Sequence, residues 1–97
     1  MSIDILGTKY TIKHVNCGNV AHVYYEERAI EIPIGLGEHE ERATIRHEII
    51  HAFLFESGLG FNFEHNERGQ EELMVDWIAM QYPKIKAAFE KAGAAEW

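Results

Sequence analysis

Between Thr8 and Val15 apolar and polar positions alternate, with Tyr10, Ile12 and His14 on one side and Lys9, Thr11 and Lys13 on the other. A period of two is that of a strand with one buried face. Residues 16–19 (Asn-Cys-Gly-Asn) read as a turn. Two further short runs, residues 21–25 and 29–33, flank the polar Glu26-Glu27-Arg28. Their spacing predicts a meander of antiparallel strands. Pro33 has no N–H to give to a ladder, so it suits an edge or a terminal position.

From Glu38 the period changes. After Glu38, Glu40 and Glu41, apolar residues fall at Ile45, Ile49, Ile50, Phe53 and Leu54, which is the spacing of a helix face. The carboxylates complement the positive end of the helix dipole, and Gly58 or Gly60 supplies the stop. A loop rich in glycine and aromatics follows. A second helix is expected from about Gln70, with Leu73, Met74, Trp77, Ile78 and Gln81 tracking one face until Pro83 interrupts it. Pro83 can then open a short third helix to about Ala92, burying Ile85, Ala88 and Phe89. The predicted class is α+β, a small antiparallel sheet followed by helices, in one domain over residues 1–97.

Composition narrows the partners. The chain has 97 residues, 46% hydrophobic and 26% charged, which is globular rather than disordered usage. A formal charge of −7 with no basic stripe argues against nucleic acid and against an anionic membrane. No window approaches the roughly 18 apolar residues of a membrane span, so a soluble, cytoplasmic protein is expected. Cys17 stands alone and reads as a turn-flanking residue.

The chemistry concentrates in the stretch Arg46-His47-Glu48-Ile49-Ile50-His51. Four residues of helix advance about 400°, so His47 and His51 lie about 40° apart and about 6 Å along the axis. Two imidazoles at that spacing can converge on one ion. Glu48, about 100° round from His47, is turned from direct ligation and stands where a general base can hold a water. Random placement of 6 His among 97 residues yields H-E-x-x-H in roughly one such sequence in twenty, so context must decide. Ile45, Ile49, Ile50, Phe53, Leu54 and Phe55 crowd the pair in sequence, and polar groups buried among them would need a partner such as a metal.

A catalytic zinc takes three protein ligands and keeps one position open. A third histidine six residues beyond His51 is excluded, because Leu54 and Ser57 occupy the places of the glycine and the histidine. Glu72 and Asp76, four apart on the second helix, offer the alternative. Glu72 is assigned to the metal, and Asp76 to the free ring N–H of a ligating histidine. Glu71, Asp76 and His65 are the other candidates for the third ligand. His14, His22 and His39 have no partner at ligand spacing and are read as structural.

The segments RHEIIHAFLFESGL and NERGQEELMVDWIAMQYPKI, preceded by the strand AIEIP, resemble the glutamate-zincin metallopeptidases (gluzincins). The closer likeness is to the small phage and mobile-element relatives of the ImmA/IrrE family. The resemblance implies one zinc per chain held by His47, His51 and Glu72, with Glu48 as catalytic base and a peptide or protein as substrate. A substrate peptide is expected to lie along residues 29–33, adding to a sheet edge. His65 is favoured slightly over Tyr24, Tyr25 and Tyr82 as the donor to the oxyanion. The alternative is a phage or mobile-element module that carries zinc and binds peptide without turnover.

Overall fold

The computed structural model describes residues 1–16, 18, 20–58 and 67–96, with the side chains of residues 67–73, 75, 76 and 79 also outside the description. The described residues form strands β1 (Ser2–Ile5), β2 (Thr8–Val15), β3 (His22–Tyr24) and β4 (Ala29–Pro33), then helices α1 (Glu38–Ser57) and α2 (Glu67–Lys91). The class is α+β. The strands make one sheet in the order β1-β2-β4-β3.

Two features of that sheet depart from an antiparallel meander. Strand β1 precedes the expected first strand and pairs with β2 through Ile5 opposite Thr8. Its two-residue connection, Leu6-Gly7, has φ of 51° and 88°, the doubly positive combination of a type I′ hairpin. Strand β4 then inserts between β2 and β3, parallel to β2 and antiparallel to β3. The hydrophobic effect accounts for this order: Ile30 and Ile32 of β4 are fully buried, whereas His22 and Tyr24 of β3 are exposed and suit an edge. Pro33 is therefore the last residue of an inner strand, and the N–H of Ile34 takes up the ladder to Val15 at 3.0 Å.

The alternation read in β2 holds for Tyr10 and Ile12, both buried. His14 lies at the exposed end and meets Glu41 of α1, Nε2 to Oε1 at 3.0 Å. The sheet's buried face meets Ile45, Ile49, Ala52 and Phe53 of α1 and Ile85, Ala88 and Ala92 of α2. Each buried isoleucine or phenylalanine among them contributes about 1.5–3 kcal/mol, and each alanine less. Phe53 also meets Trp77 edge-on, with centroids 6.1 Å apart.

Helix α1 begins with Glu38, Glu40 and Glu41 in its first turn and ends at Gly58 with φ of 81°, as the charge and glycine signals indicate. Helix α2 does not break at Pro83; it runs continuously through it. The ring removes one helical hydrogen bond and costs about 3 kcal/mol in a helix interior. Packing on both sides offsets this: Trp77 on Phe53 before the proline, and Ile85 and Ala88 on the core after it. The helix closes in a Schellman motif: Gly93 N–H donates to Glu90 O at 3.1 Å and Ala94 N–H to Phe89 O at 2.9 Å. The Arg46 guanidinium then ties this end to α1, donating to Ala94 O at 2.8 Å and Glu96 O at 3.1 Å. Among the described residues no helix is long and apolar enough to cross a membrane.

A single helix with an internal proline makes Pro83→Ala stabilising, by about 1–3 kcal/mol, since it restores an N–H and removes the ring. Urea denaturation reads this directly; a loss of stability would mean that Pro83 starts a separate helix.

Candidate functional site

Burial of Ile45, Ile49, Ala52 and Phe53 fixes the rotation of α1. Residues two positions away lie about 200° round the helix, so His47 and His51 point away from that stripe. Both are exposed. The expectation that they are sunk among apolar side chains is overturned: the residues adjacent in sequence turn to the sheet and leave the imidazoles in solvent. Their own geometry is informative. The two Nε2 atoms are 3.0 Å apart and the rings meet nearly edge to face, with centroids 4.7 Å apart at 71°.

Two nitrogens bound about 2.0–2.1 Å from one tetrahedral zinc stand about 3.4 Å apart, so a small side-chain adjustment suffices and the pair fits such an ion. The same distance also suits a hydrogen bond in which one ring's Nε2–H donates to the other's lone pair. The tautomers differ: shared ligation needs both Nε2 lone pairs, leaving the proton on each Nδ1.

Glu48 sits at the boundary between the two faces and is 8% exposed. It lines a groove of about 400 Å³ with His47, Glu40, Ala43, Thr44, Val20 and Ala21. The Tyr25 hydroxyl is pushed above its usual pKa first by burial and next by the negative charge of Glu48. The Tyr25 ring stacks on Phe55, 4.2 Å between centroids and 18° from parallel; Phe55 lies seven residues beyond Glu48, on the same helix ridge.

Arg28 fastens this corner. Its φ is 53°, a left-handed conformation uncommon outside glycine. The guanidinium donates to the Tyr25 carbonyl and covers the Phe55 ring. Arg28 Nε lies 2.9 Å from Glu56 Oε2, as an ion pair rather than an aligned hydrogen bond. The Tyr10 hydroxyl donates to Glu56 Oε2 at 2.6 Å and the Thr8 hydroxyl to Oε1 at 3.3 Å. Burial, then the Glu56 contact, drives the Tyr10 pKa well up. The last turn of α1 is thereby tied to β2 and to the β3–β4 turn.

The remaining site residues fare differently. Glu72 and Asp76 fall within α2, but their side chains lie outside the described residues, as do His65 and Cys17 entirely. Among the described residues no group of three or more His, Cys, Asp or Glu is placed to hold a metal ion. Tyr24 and Tyr82 are exposed, at 42% and 54%, which leaves Tyr25 as the tyrosine beside Glu48. Sequence reasoning named it among equals, because only the β3–β4 turn brings it there. Residues 29–33 cannot receive a peptide, since both edges of β4 are occupied; among the described residues the unpaired strand edge beside the groove is that of β3. Comparison with known families, curated proteins and solved structures finds no match to this chain.

Because Glu48 is the second cause of the Tyr25 shift, Glu48→Gln should lower the Tyr25 pKa part of the way toward 10. Burial keeps it above that value. NMR titration of the ring carbons measures the change, and an unchanged Tyr25 would separate the two residues.

Proposed function

We propose that this chain is a zinc-dependent endopeptidase on a minimal zincin-like plan, with His47, His51 and Glu72 holding the metal and Glu48 as general base. The observation that carries this reading is the 3.0 Å convergence of the two Nε2 atoms, with the next residue after His47, Glu48, on the wall of a groove. When bound, zinc supplies Lewis acidity that polarises a carbonyl and brings the pKa of a water toward 7.

The chain's own residues supply positioning and proton transfer. A peptide adds to the outer edge of β3 by main-chain hydrogen bonds, which brings its backbone beside the groove. Glu48 accepts the proton of the water whose oxygen attacks the scissile carbonyl carbon, and donates it to the nitrogen as the C–N bond breaks. Asp76 accepts the free ring N–H of a ligating histidine and fixes its tautomer. The Tyr25 hydroxyl, kept protonated by burial and by Glu48, is a donor for the oxyanion among the described residues, beside the His65 expected from the sequence.

Elemental analysis of untagged protein, joined to a peptide-cleavage assay, tests the assignment. Wild type should carry one zinc per chain and Glu72→Ala should lose it. Glu48→Gln should retain zinc while cleavage falls by about 10²–10⁴-fold. A folded wild type that stays metal-free with zinc available overturns the reading; zinc retained without cleavage by wild type replaces it with the peptide-binding module.

A further inference from the structure

The other edge of the sheet, away from the groove beside His47, is β1. Antiparallel partners alternate between pairs that exchange two main-chain hydrogen bonds and pairs that exchange none. The Ile12 N–H donates to Met1 O at 2.8 Å, and the Met1 amino group reaches Ile12 O at 3.5 Å. In the same register Ile3 faces Tyr10 and Ile5 faces Thr8, so Met1, Ile3 and Ile5 turn their main-chain groups to β2. The N–H and C=O of Ser2 and Asp4 therefore point outward, and among the described residues no strand meets them.

A groove of about 350 Å³ runs between this edge and α2. Its floor is Ile3 and Ala88, both buried, with Ala87 beside them, and Lys84 and Lys91 line its helix side. The two lysines are exposed. Seven residues apart, they lie about 10.5 Å along the axis and about 20° apart round it, in one stripe. Among the described residues neither has an ion-pair partner. Lys91 complements the C-terminal end of the helix dipole, but Lys84 stands two turns earlier and has no such role. Asp4 alternates with Ile3 and Ile5, so its carboxylate stands on the sheet's opposite face. There its cross-strand neighbour is Lys9. Positive charge thus dominates this groove in a chain whose formal charge is −7.

We infer that the β1 edge is a docking site for an extended acidic segment of a partner protein, which adds to the sheet as a fifth strand. Main-chain hydrogen bonds to Ser2 and Asp4 hold the segment. Every second side chain of it turns toward α2, where Asp or Glu meets Lys84 and Lys91 in charge-assisted hydrogen bonds. The small side chains of Ala87 and Ala88 leave room for the incoming backbone. A second copy of this chain fits less well. Pairing of β1 with β1 about a two-fold axis would bring the lysine stripes of two α2 helices toward each other, and lysine at a strand edge discourages self-pairing. The inference is independent of the peptidase reading, whose peptide lies at the β3 edge.

The test is a ¹H–¹⁵N NMR titration of the full chain with two octapeptides, one alternating Thr with Glu and the other Thr with Lys. The Glu peptide should shift the Ser2, Asp4, Lys84 and Lys91 amides saturably and leave those of His47 and His51 in place. The Lys peptide should bind about tenfold more weakly. Lys84→Glu combined with Lys91→Glu should reverse the preference. Asp4→Pro removes an outward N–H without touching the ladder to β2, and it should abolish binding of the Glu peptide even though it also removes a carboxylate. Circular dichroism establishes that both variants fold. Absence of saturable shifts at Ser2 and Asp4 in wild type up to about 1 mM Glu peptide overturns the inference. Equal binding of the two peptides, or binding undiminished in folded Asp4→Pro, does the same. Self-association that shifts these amides with rising protein concentration also overturns it, and assigns the edge to a second copy.

Discussion

The rotation of α1 against the sheet is the constraint on which the rest of the structure depends. Ile45, Ile49, Ala52 and Phe53 must meet the isoleucines of β2 and β4, and a helix has only one rotation that buries all four. That rotation decides the chemistry. It turns His47 and His51 outward with their Nε2 atoms together, and it leaves Glu48 at the border, where a carboxylate can be sheltered yet face a groove. A shift of 100° would bury a histidine or expose the carboxylate.

Packing fixes the rotation, whereas polar contacts fix what faces the site. The Glu56 carboxylate gathers Arg28, Tyr10 and Thr8 at the last turn of α1. Through Arg28 the same contacts hold the β3–β4 turn and with it Tyr25. Such a network is valuable when satisfied and costly when half satisfied. It therefore ties the edge strand to the helix that carries the histidines. From the middle of α1, Arg46 caps the terminal turn after α2, so α1 is tied to two different parts of the fold.

Much of this was legible in local pattern. The acidic start and Gly58 stop of α1, the buried side of β2 and the burial of Ile85 and Ala88 follow from period and end signals within a few residues. What was not legible depends on competition between distant segments. Local spacing cannot reveal that Ile30 and Ile32 draw β4 into the sheet's interior, or that packing carries α2 through Pro83. Strand β1 did leave a signal, Ile3 and Ile5 in alternation before Leu6-Gly7. The depth assigned to the histidines failed for a geometric reason: neighbours two residues away in a helix face the opposite side.

The central claim is that the two Nε2 atoms face each other in order to share an ion rather than a proton. The most direct measurement is long-range ¹H–¹⁵N NMR of the imidazole rings before and after one equivalent of zinc. Shared ligation predicts that His47 and His51 both settle into the Nδ1–H tautomer, with both Nε2 resonances moved on saturation at one zinc per chain. If zinc leaves both rings unchanged, with one Nε2 still protonated and donating to the other, the pair is a surface hydrogen bond and the metal site is contradicted.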